Sequence, residues 1–212
     1  EYLFFIILSP VGPFYKEGFN PTKIHVADEF IRSARGGSGS AKTSGNYGPT
    51  LLAANKAGEK GFTQVLWLDA VEHKYIEEVG TSNIFFVIGD ELVTPPASGT
   101  ILDGVTRDSV IQMSRLKGLA VAERAISIDE VIDGIINGRV KEIFASGTAA
   151  VISPIGWIGY REETYTINKG EAGAVARSLY DELTGIQTGR REDPFGWVHR
   201  INGSTGSDIT AA

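Results

Sequence analysis

Between Gln64 and Thr94 the chain sets short apolar stretches one after another: Gln64 to Asp69, Tyr75 to Val79, Asn83 to Ile88 and Glu91 to Thr94. Each is strand-length and rich in β-branched, aromatic and leucine residues. Gly89-Asp90 between the last two is a two-residue hairpin signal, so these neighbours run antiparallel. Further strands read at Lys23 to Val26, Val121 to Ile126, Glu142 to Ala145 and Val151 to Ile158, and the opening residues 1–8 read as a buried strand. Helices fall between them. Pro49 suits a first turn, Leu51 to Lys60 continues it, and Gly61 stops it. A second helix opens at Gly104 and runs to about Lys117. Ser127-Ile128-Asp129-Glu130 is a capping box for a third, ending near Gly138. Gly173 to Leu183 forms the last. Strict βαβ alternation is absent, and Asp28 to Arg35 reads as a short helical or irregular lead-in to a glycine run. The pattern predicts an α+β fold, with a mixed or mostly antiparallel sheet and helices packed outside it.

Composition removes several function classes. The 212 residues carry a net charge of −6, which argues against a general nucleic-acid binder. There is no cysteine, so thiolate metal sites and disulfides are excluded. His25, His73 and His199 are too dispersed for a metal motif. No apolar run reaches membrane-spanning length. Glu1 to Leu8 is apolar but lacks a basic lead, so it does not read as a signal peptide; a cytoplasmic setting is expected. The chain begins without methionine inside a strand-like stretch, from which an N-terminal truncation is expected. Ser9 to Pro13 and Gly18 to Pro21 are rich in linker residues, and the tail after Asn202 is polar and small.

The candidate chemistry centres on Lys42, set in Gly36-Gly37-Ser38-Gly39-Ser40-Ala41-Lys42-Thr43-Ser44-Gly45-Asn46-Tyr47-Gly48-Pro49. A nucleophilic lysine must lose a proton that its ordinary pKa of ~10.4 would retain, and a Schiff base with an aldehyde cofactor removes it covalently. Taken alone, such a lysine is more often a solvated loop residue. Tyr47 could hydrogen-bond a cofactor phenolate, or simply be a half-buried aromatic at a helix start. In Glu77-Glu78, adjacent strand residues face opposite sides, so one carboxylate points inward, and Glu78 is the better placed. A buried carboxylate requires a cation, which a protonated pyridine nitrogen would supply; two solvated edge glutamates remain the alternative. Val105 and Thr106 follow Gly104 at a helix N-terminus suited to phosphate. Thr148 follows Gly147 in a second turn of donors. Singly these are common turn features, but together they complement pyridoxal 5'-phosphate.

On these stretches, with Gln64 to Asp69, Glu77 to Phe86, Leu92 to Pro96, Ile101 to Asp108, Phe144 to Ala149 and Pro194 to Trp197, the chain resembles the branched-chain amino acid aminotransferases. These are fold type IV pyridoxal-phosphate enzymes, similar to D-amino acid aminotransferase. The resemblance implies a sheet curled into a pseudo-barrel. It implies that Lys42 bonds the cofactor and moves a proton, that Tyr47 meets the phenolate and that Glu78 meets the pyridine nitrogen. Val105, Thr106 and Thr148 would hold the phosphate; Thr148 and Ala149 would receive the substrate carboxylate, with Thr81 nearby. It further implies amine transfer from leucine, isoleucine or valine to 2-oxoglutarate by a homodimer. The domain reading is 1–22 as the end of a small domain plus linker, 23–202 as the cofactor-binding domain and 203–212 as a polar tail.

Three departures matter. Asp103 stands where the family usually has proline, placing a negative charge near the phosphate unless it points away. Ala150 and Ser153 replace a Cys-x-x-Cys pair of some relatives. The small domain, which brings an arginine and the substrate-side aromatics, is expected to be missing, leaving a weakly active or inactive piece. Aminodeoxychorismate lyase and D-amino acid aminotransferase share the fold, and a non-catalytic cofactor-binding fragment is the reading from another class.

Overall fold

The computed structural model describes residues 3–7, 9 and 19–199. The strands are β1 (Thr22–Ala27), β2 (Gln64–Leu68), β3 (Ile76–Val79), β4 (Asn83–Ile88), β5 (Glu91–Thr94), β6 (Ala120–Glu123), β7 (Val140–Gly147), β8 (Val151–Tyr160) and β9 (Glu163–Thr166). The helices are α1 (Thr50–Glu59), α2 (Val105–Leu116), α3 (Ile128–Ile136) and α4 (Ala174–Gln187). The strands form one sheet in the order β3-β2-β1-β8-β7-β4-β5-β6, with β9 paired to β8. Pairing is mixed: β1 runs parallel to both β2 and β8, and β5 to β6, whereas β4 is antiparallel to β5 and β7.

Curling follows from the connections. β3 and β4 are joined only by Gly80-Thr81-Ser82, yet β2, β1, β8 and β7 lie between them in the ladder. The sheet must bend back on itself to bring these two strands together, and a bridge between Val79 and Ser82 marks where they meet. The expected α+β pseudo-barrel is therefore the observed fold.

β4 shows why both sides of the sheet are covered. Ile84, Phe86 and Ile88 point into a core with Ile24, Leu66 and Ile143. Phe85 and Val87 point the other way, against Val110 of α2 and Leu179 of α4. Successive side chains alternate across a strand, so an unbroken apolar run needs cover on both faces. α1 covers a third patch through Ala53 and Ala57 against Val65 and Trp67.

Of the expected opening strand, residues 1, 2 and 8 lie outside the described residues, and the described part is not a strand. Leu3, Phe4, Phe5, Ile6 and Ile7 are exposed and have no strand pairing. Among the described residues no sheet edge receives them, and an apolar segment becomes a strand only when a neighbour accepts its hydrogen bonds. Most of the linker stretch before Phe19 and the whole 203–212 tail lie outside the described residues. Asp28 to Arg35 is irregular, and β9 had no clear signal in the sequence. No described helix is long and apolar enough to cross a membrane.

Candidate active site

The glycine run is an ordered loop because one side chain fastens it. Asn46 is buried and donates from Nδ2 to the carbonyls of Ser38 and Ala41, each at 2.7 Å. Its Oδ1 accepts from the Ser38 hydroxyl at 2.7 Å. Gly39 is pressed so close to the Thr100 carbonyl that a Cβ there would collide with it. Lys42 leaves this loop exposed, with Nζ 5.9 Å from the Tyr47 ring centre.

Lys42 meets Glu78, Thr81, Val105, Thr106 and Thr148 around one cavity of about 290 Å³. Tyr47 stands beside Lys42 and Ala149 follows Thr148, both outside that lining. The elements explain the convergence. β3 ends at Glu78-Val79, the tight turn presents Thr81, β7 ends at Gly147, and α2 begins at Val105.

Glu78 is 2% exposed and has a partner at each oxygen. Its Oε2 lies 2.9 Å from Arg32 Nε, and its Oε1 accepts the Leu102 N–H at 2.7 Å. Burial pushes its carboxyl up to about 7, against the opposing pull of Arg32 and the Leu102 N–H. Asn83 completes the clamp, donating to the Leu102 carbonyl at 2.9 Å. β3 and β4 thus hold both backbone polar groups of Leu102, at the approach to the α2 turn.

That turn can receive an anion. Gly104 caps α2 without any side-chain hydrogen bond, leaving the N–H groups of the first turn free. A Cβ on Gly104 would strike the Asn83 amide. Ser146 also lines the cavity; its hydroxyl is buried with no hydrogen-bond partner. An uncapped helix start, a glycine with no room for a side chain and an orphaned hydroxyl fit a phosphate group. After the second turn, Val151 has φ 56°, a conformation that costs a β-branched residue about 1–3 kcal/mol.

Asp103 also lines the cavity. Its side chain is 74% exposed and lies 3.7 Å from Nη1 of Arg107, so part of its charge is answered. Arg107 itself is buried and reaches Glu123 and the Pro95 carbonyl, each at 2.9 Å.

One expectation needs correction. Glu77 and Glu78 do face opposite sides, but both are buried. The segment from Pro95 to Ile101 covers the reverse face of β3, which a reading of β3 alone could not reveal. The sequence assigns no role to Arg32, Asn46, Asn83 or Ser146, although the last three lie inside its motif stretches.

A lysine loop, a buried carboxylate and a helix start converging on a curled mixed sheet define the architecture of fold type IV pyridoxal-phosphate enzymes. The Amino-transferase class IV family profile matches residues 2–158, and the chain belongs to that family. It is 54% identical over 206 residues to branched-chain-amino-acid aminotransferase 2 of Bacillus subtilis (strain 168), covering 97% of this chain and 57% of that protein. It is 50% identical over 198 residues to a probable branched-chain-amino-acid aminotransferase of Staphylococcus aureus (strain N315), covering 93% and 55%. The chain therefore spans little more than half the length of these relatives. Among solved structures, the branched-chain amino acid aminotransferase of Escherichia coli superposes with TM-score 0.78 at 29% identity, over 92% of this chain and 60% of that one. The T.th. branched-chain amino acid aminotransferase, complexed with N-(5'-phosphopyridoxyl)-L-glutamate, gives 0.69 at 31% identity, over 81% and 53%.

Proposed function

We propose that this chain is the cofactor-binding part of a pyridoxal-phosphate-dependent transaminase. The enzyme exchanges amines between leucine, isoleucine or valine and 2-oxoglutarate. The observation that carries the reading is the meeting of Lys42, Glu78 and the open N-terminus of α2 around one cavity. The relatives named above supply the substrate class. When bound, the cofactor supplies an aldehyde that takes up the amine and a ring that withdraws electrons.

The residues divide the remaining work. Nζ of Lys42 would hold the cofactor and, once freed by the incoming amine, would take the proton from the substrate Cα and deliver it on the cofactor side. Tyr47 orients the phenolate side of the ring. Glu78, kept beside Arg32, balances charge on the pyridine nitrogen. The N–H groups of Val105 and Thr106, with Thr148 and the Ser146 hydroxyl, bind the phosphate. Thr148 and Ala149 receive the substrate carboxylate, and Thr81 borders the pocket. Residues 23–202 serve as the cofactor domain of a homodimer, a state that light scattering reads directly.

Incubation with pyridoxal 5'-phosphate, borohydride reduction and peptide mass mapping should place the added mass on Lys42 and nowhere else at stoichiometric loading. Lys42→Ala should abolish it. In the whole protein, glutamate should form from L-leucine and 2-oxoglutarate, and the same substitution should cut the rate by ~10²-fold or more. Label spread over surface lysines would overturn the site. Pyruvate release from aminodeoxychorismate without leucine turnover would replace the reaction with a lyase.

A further inference from the structure

Back to back with the Lys42 cavity lies a second one of about 490 Å³ that shares no lining residue with it. Its walls include Val71, Ile76, Pro95 and Ile101, with Arg35 and Glu77 among them. Glu77 is 7% exposed, and its Oε2 is buried without a hydrogen-bond partner. Burial raises its carboxyl above the ordinary range. The Thr100 side chain hydrogen-bonds the carboxyl and opposes that rise; no ion pair joins Glu77 to Arg35 or to any other cation among the described residues, although the charges of Arg32 and Arg35 are felt there. The other partly buried carboxylate in the lining, Asp69, is committed to the backbone N–H groups of Val71, Glu72, Lys74 and Tyr75.

A buried carboxylate with a free oxygen is expensive unless a donor reaches it. The surroundings select the donor. A single carboxylate with one unpartnered oxygen does not make a metal site, and no group of possible metal ligands occurs among the described residues. An ammonium offers up to three N–H donors from one point charge. The apolar walls would accept a hydrocarbon body at roughly 25 cal/mol per Å² of surface removed from water. The volume falls in the range of ordinary small-molecule sites, about 300–1,000 Å³.

We propose that this cavity binds a small molecule bearing a primary ammonium on a hydrocarbon body, with the ammonium paired to Glu77 and the hydrocarbon against Val71, Ile76, Pro95 and Ile101. The site is independent of the transaminase reading. It adjoins that cavity through the neighbouring peptides Glu77-Glu78 and Ile101-Leu102 and through Thr100, whose carbonyl Arg32 holds beside the lysine loop, but the two linings share no residue, so it can be filled while Lys42 stays free.

The test is an NMR titration of the isotopically labelled 212-residue chain with 3-methylbutylamine, without added pyridoxal phosphate. Saturable shifts should appear at Ile76, Glu77 and Ile101 and not at Lys42 or Thr148. The uncharged analogue 3-methylbutan-1-ol should bind at least ~10-fold more weakly, as should Glu77→Gln, because a hydrogen bond between charged groups is stronger than one between neutral groups. Methylammonium, which lacks the hydrocarbon, should also bind more weakly. Lys42→Ala should leave the affinity unchanged. Absence of saturable shifts, equal affinity for amine and alcohol in the unmodified chain, or shifts centred on Lys42 would each overturn the proposal. The alcohol comparison needs no substitution, so a misfolded Glu77→Gln leaves the test intact.

Discussion

Arg32 and Glu78 form an ion pair of 2.9 Å between side chains that are each 2% exposed. The same guanidinium donates to the carbonyls of Thr100 at 2.8 Å and Gly39 at 3.3 Å. One side chain therefore ties the lysine loop, β3 and the approach to α2. Removing one member of a buried pair strands the other, at a cost of about 3–5 kcal/mol. Arg32→Ala should lower unfolding free energy by that order. Arg32→Met combined with Glu78→Gln should cost less than the sum of the single changes. Urea unfolding of the three variants measures the coupling; strict additivity would show that the pair acts as two separate residues.

The Glu78 carboxyl gives a signed pH dependence. Burial, its largest influence, raises it from 4.5 to about 7. In the unfolded chain the proton leaves near the ordinary value, while the folded chain retains it until about pH 7. The stability tied to this group is thus complete below pH 4.5, declines as pH rises through about 7, and is flat above. The change is about 2–4 kcal/mol. Glu77 slopes the same way, so the readout is the difference between the unmodified chain and Glu78→Gln. That difference should vary between pH 4.5 and 7 and level off beyond.

The sequence carried the local elements well, and a few particular residues show where it stopped. β4 and β5 were legible because a hairpin turn and apolar runs are local signals. The start of α3 was legible because Ser127 accepts the Glu130 N–H at 3.0 Å, one of the two bonds of a capping box, while the Glu130 carboxylate turns to Arg124. The placement of β1 between β2 and β8 was not, since parallel partners are distant in the chain and leave no turn signature. Lys42 and Glu78 stood out by chemistry. Arg32 and Arg35 could not be ranked, because an irregular segment has no periodicity to say which side chain turns inward. The structure buries Arg32 and exposes Arg35. The exposed Leu3–Ile7 segment is the converse case: apolar composition raised a strand expectation that only a neighbouring strand could fulfil.

Asn46 positions the lysine loop and takes no part in the chemistry. Asn46→Ala removes its three hydrogen bonds within the loop and should cost about 1–3 kcal/mol of stability. The more telling readout is selectivity. Borohydride trapping of pyridoxal phosphate should fall at Lys42 while labelling of surface lysines stays constant. Asn46→Asp keeps the acceptor but loses the two donated bonds, so it should resemble alanine more than the unmodified chain. Full Lys42 labelling in both variants would remove the positioning role.

Asp103 should weaken anion binding at the α2 turn. Its carboxylate lines the cavity, and Arg107 answers it only at 3.7 Å. Because the group is exposed, the effect is limited to roughly 1 kcal/mol, or about fivefold in affinity. Asp103→Asn should tighten pyridoxal phosphate binding by up to that factor at low salt, and the advantage should shrink as added salt screens the charge. Fluorescence titration at two ionic strengths decides it. A weaker Asn variant would show that the Asp103–Arg107 contact shapes the turn more than its charge opposes the phosphate.

Asp69 makes the opposite acid prediction and tests the wall of the second cavity. Burial alone would raise its carboxyl, but four backbone N–H bonds, from Glu72, Lys74, Tyr75 and Val71, outweigh it and hold the group at about 2 instead of 3.8. Its contribution is therefore present above pH 3.8 and is lost as pH falls through about 2, a window separate from that of Glu78. Asp69→Ala frees the turn from Val71 to Tyr75 and should cost about 1–3 kcal/mol at neutral pH. That turn presents Val71 and Tyr75 to the second cavity, so the same substitution should weaken 3-methylbutylamine binding while leaving Lys42 labelling by pyridoxal phosphate unchanged. Asp69→Asn retains only an uncharged acceptor and should fall between the two. Loss of Lys42 labelling in a folded Asp69→Ala chain would mean that the two cavities are one cooperative unit, contrary to their separate linings.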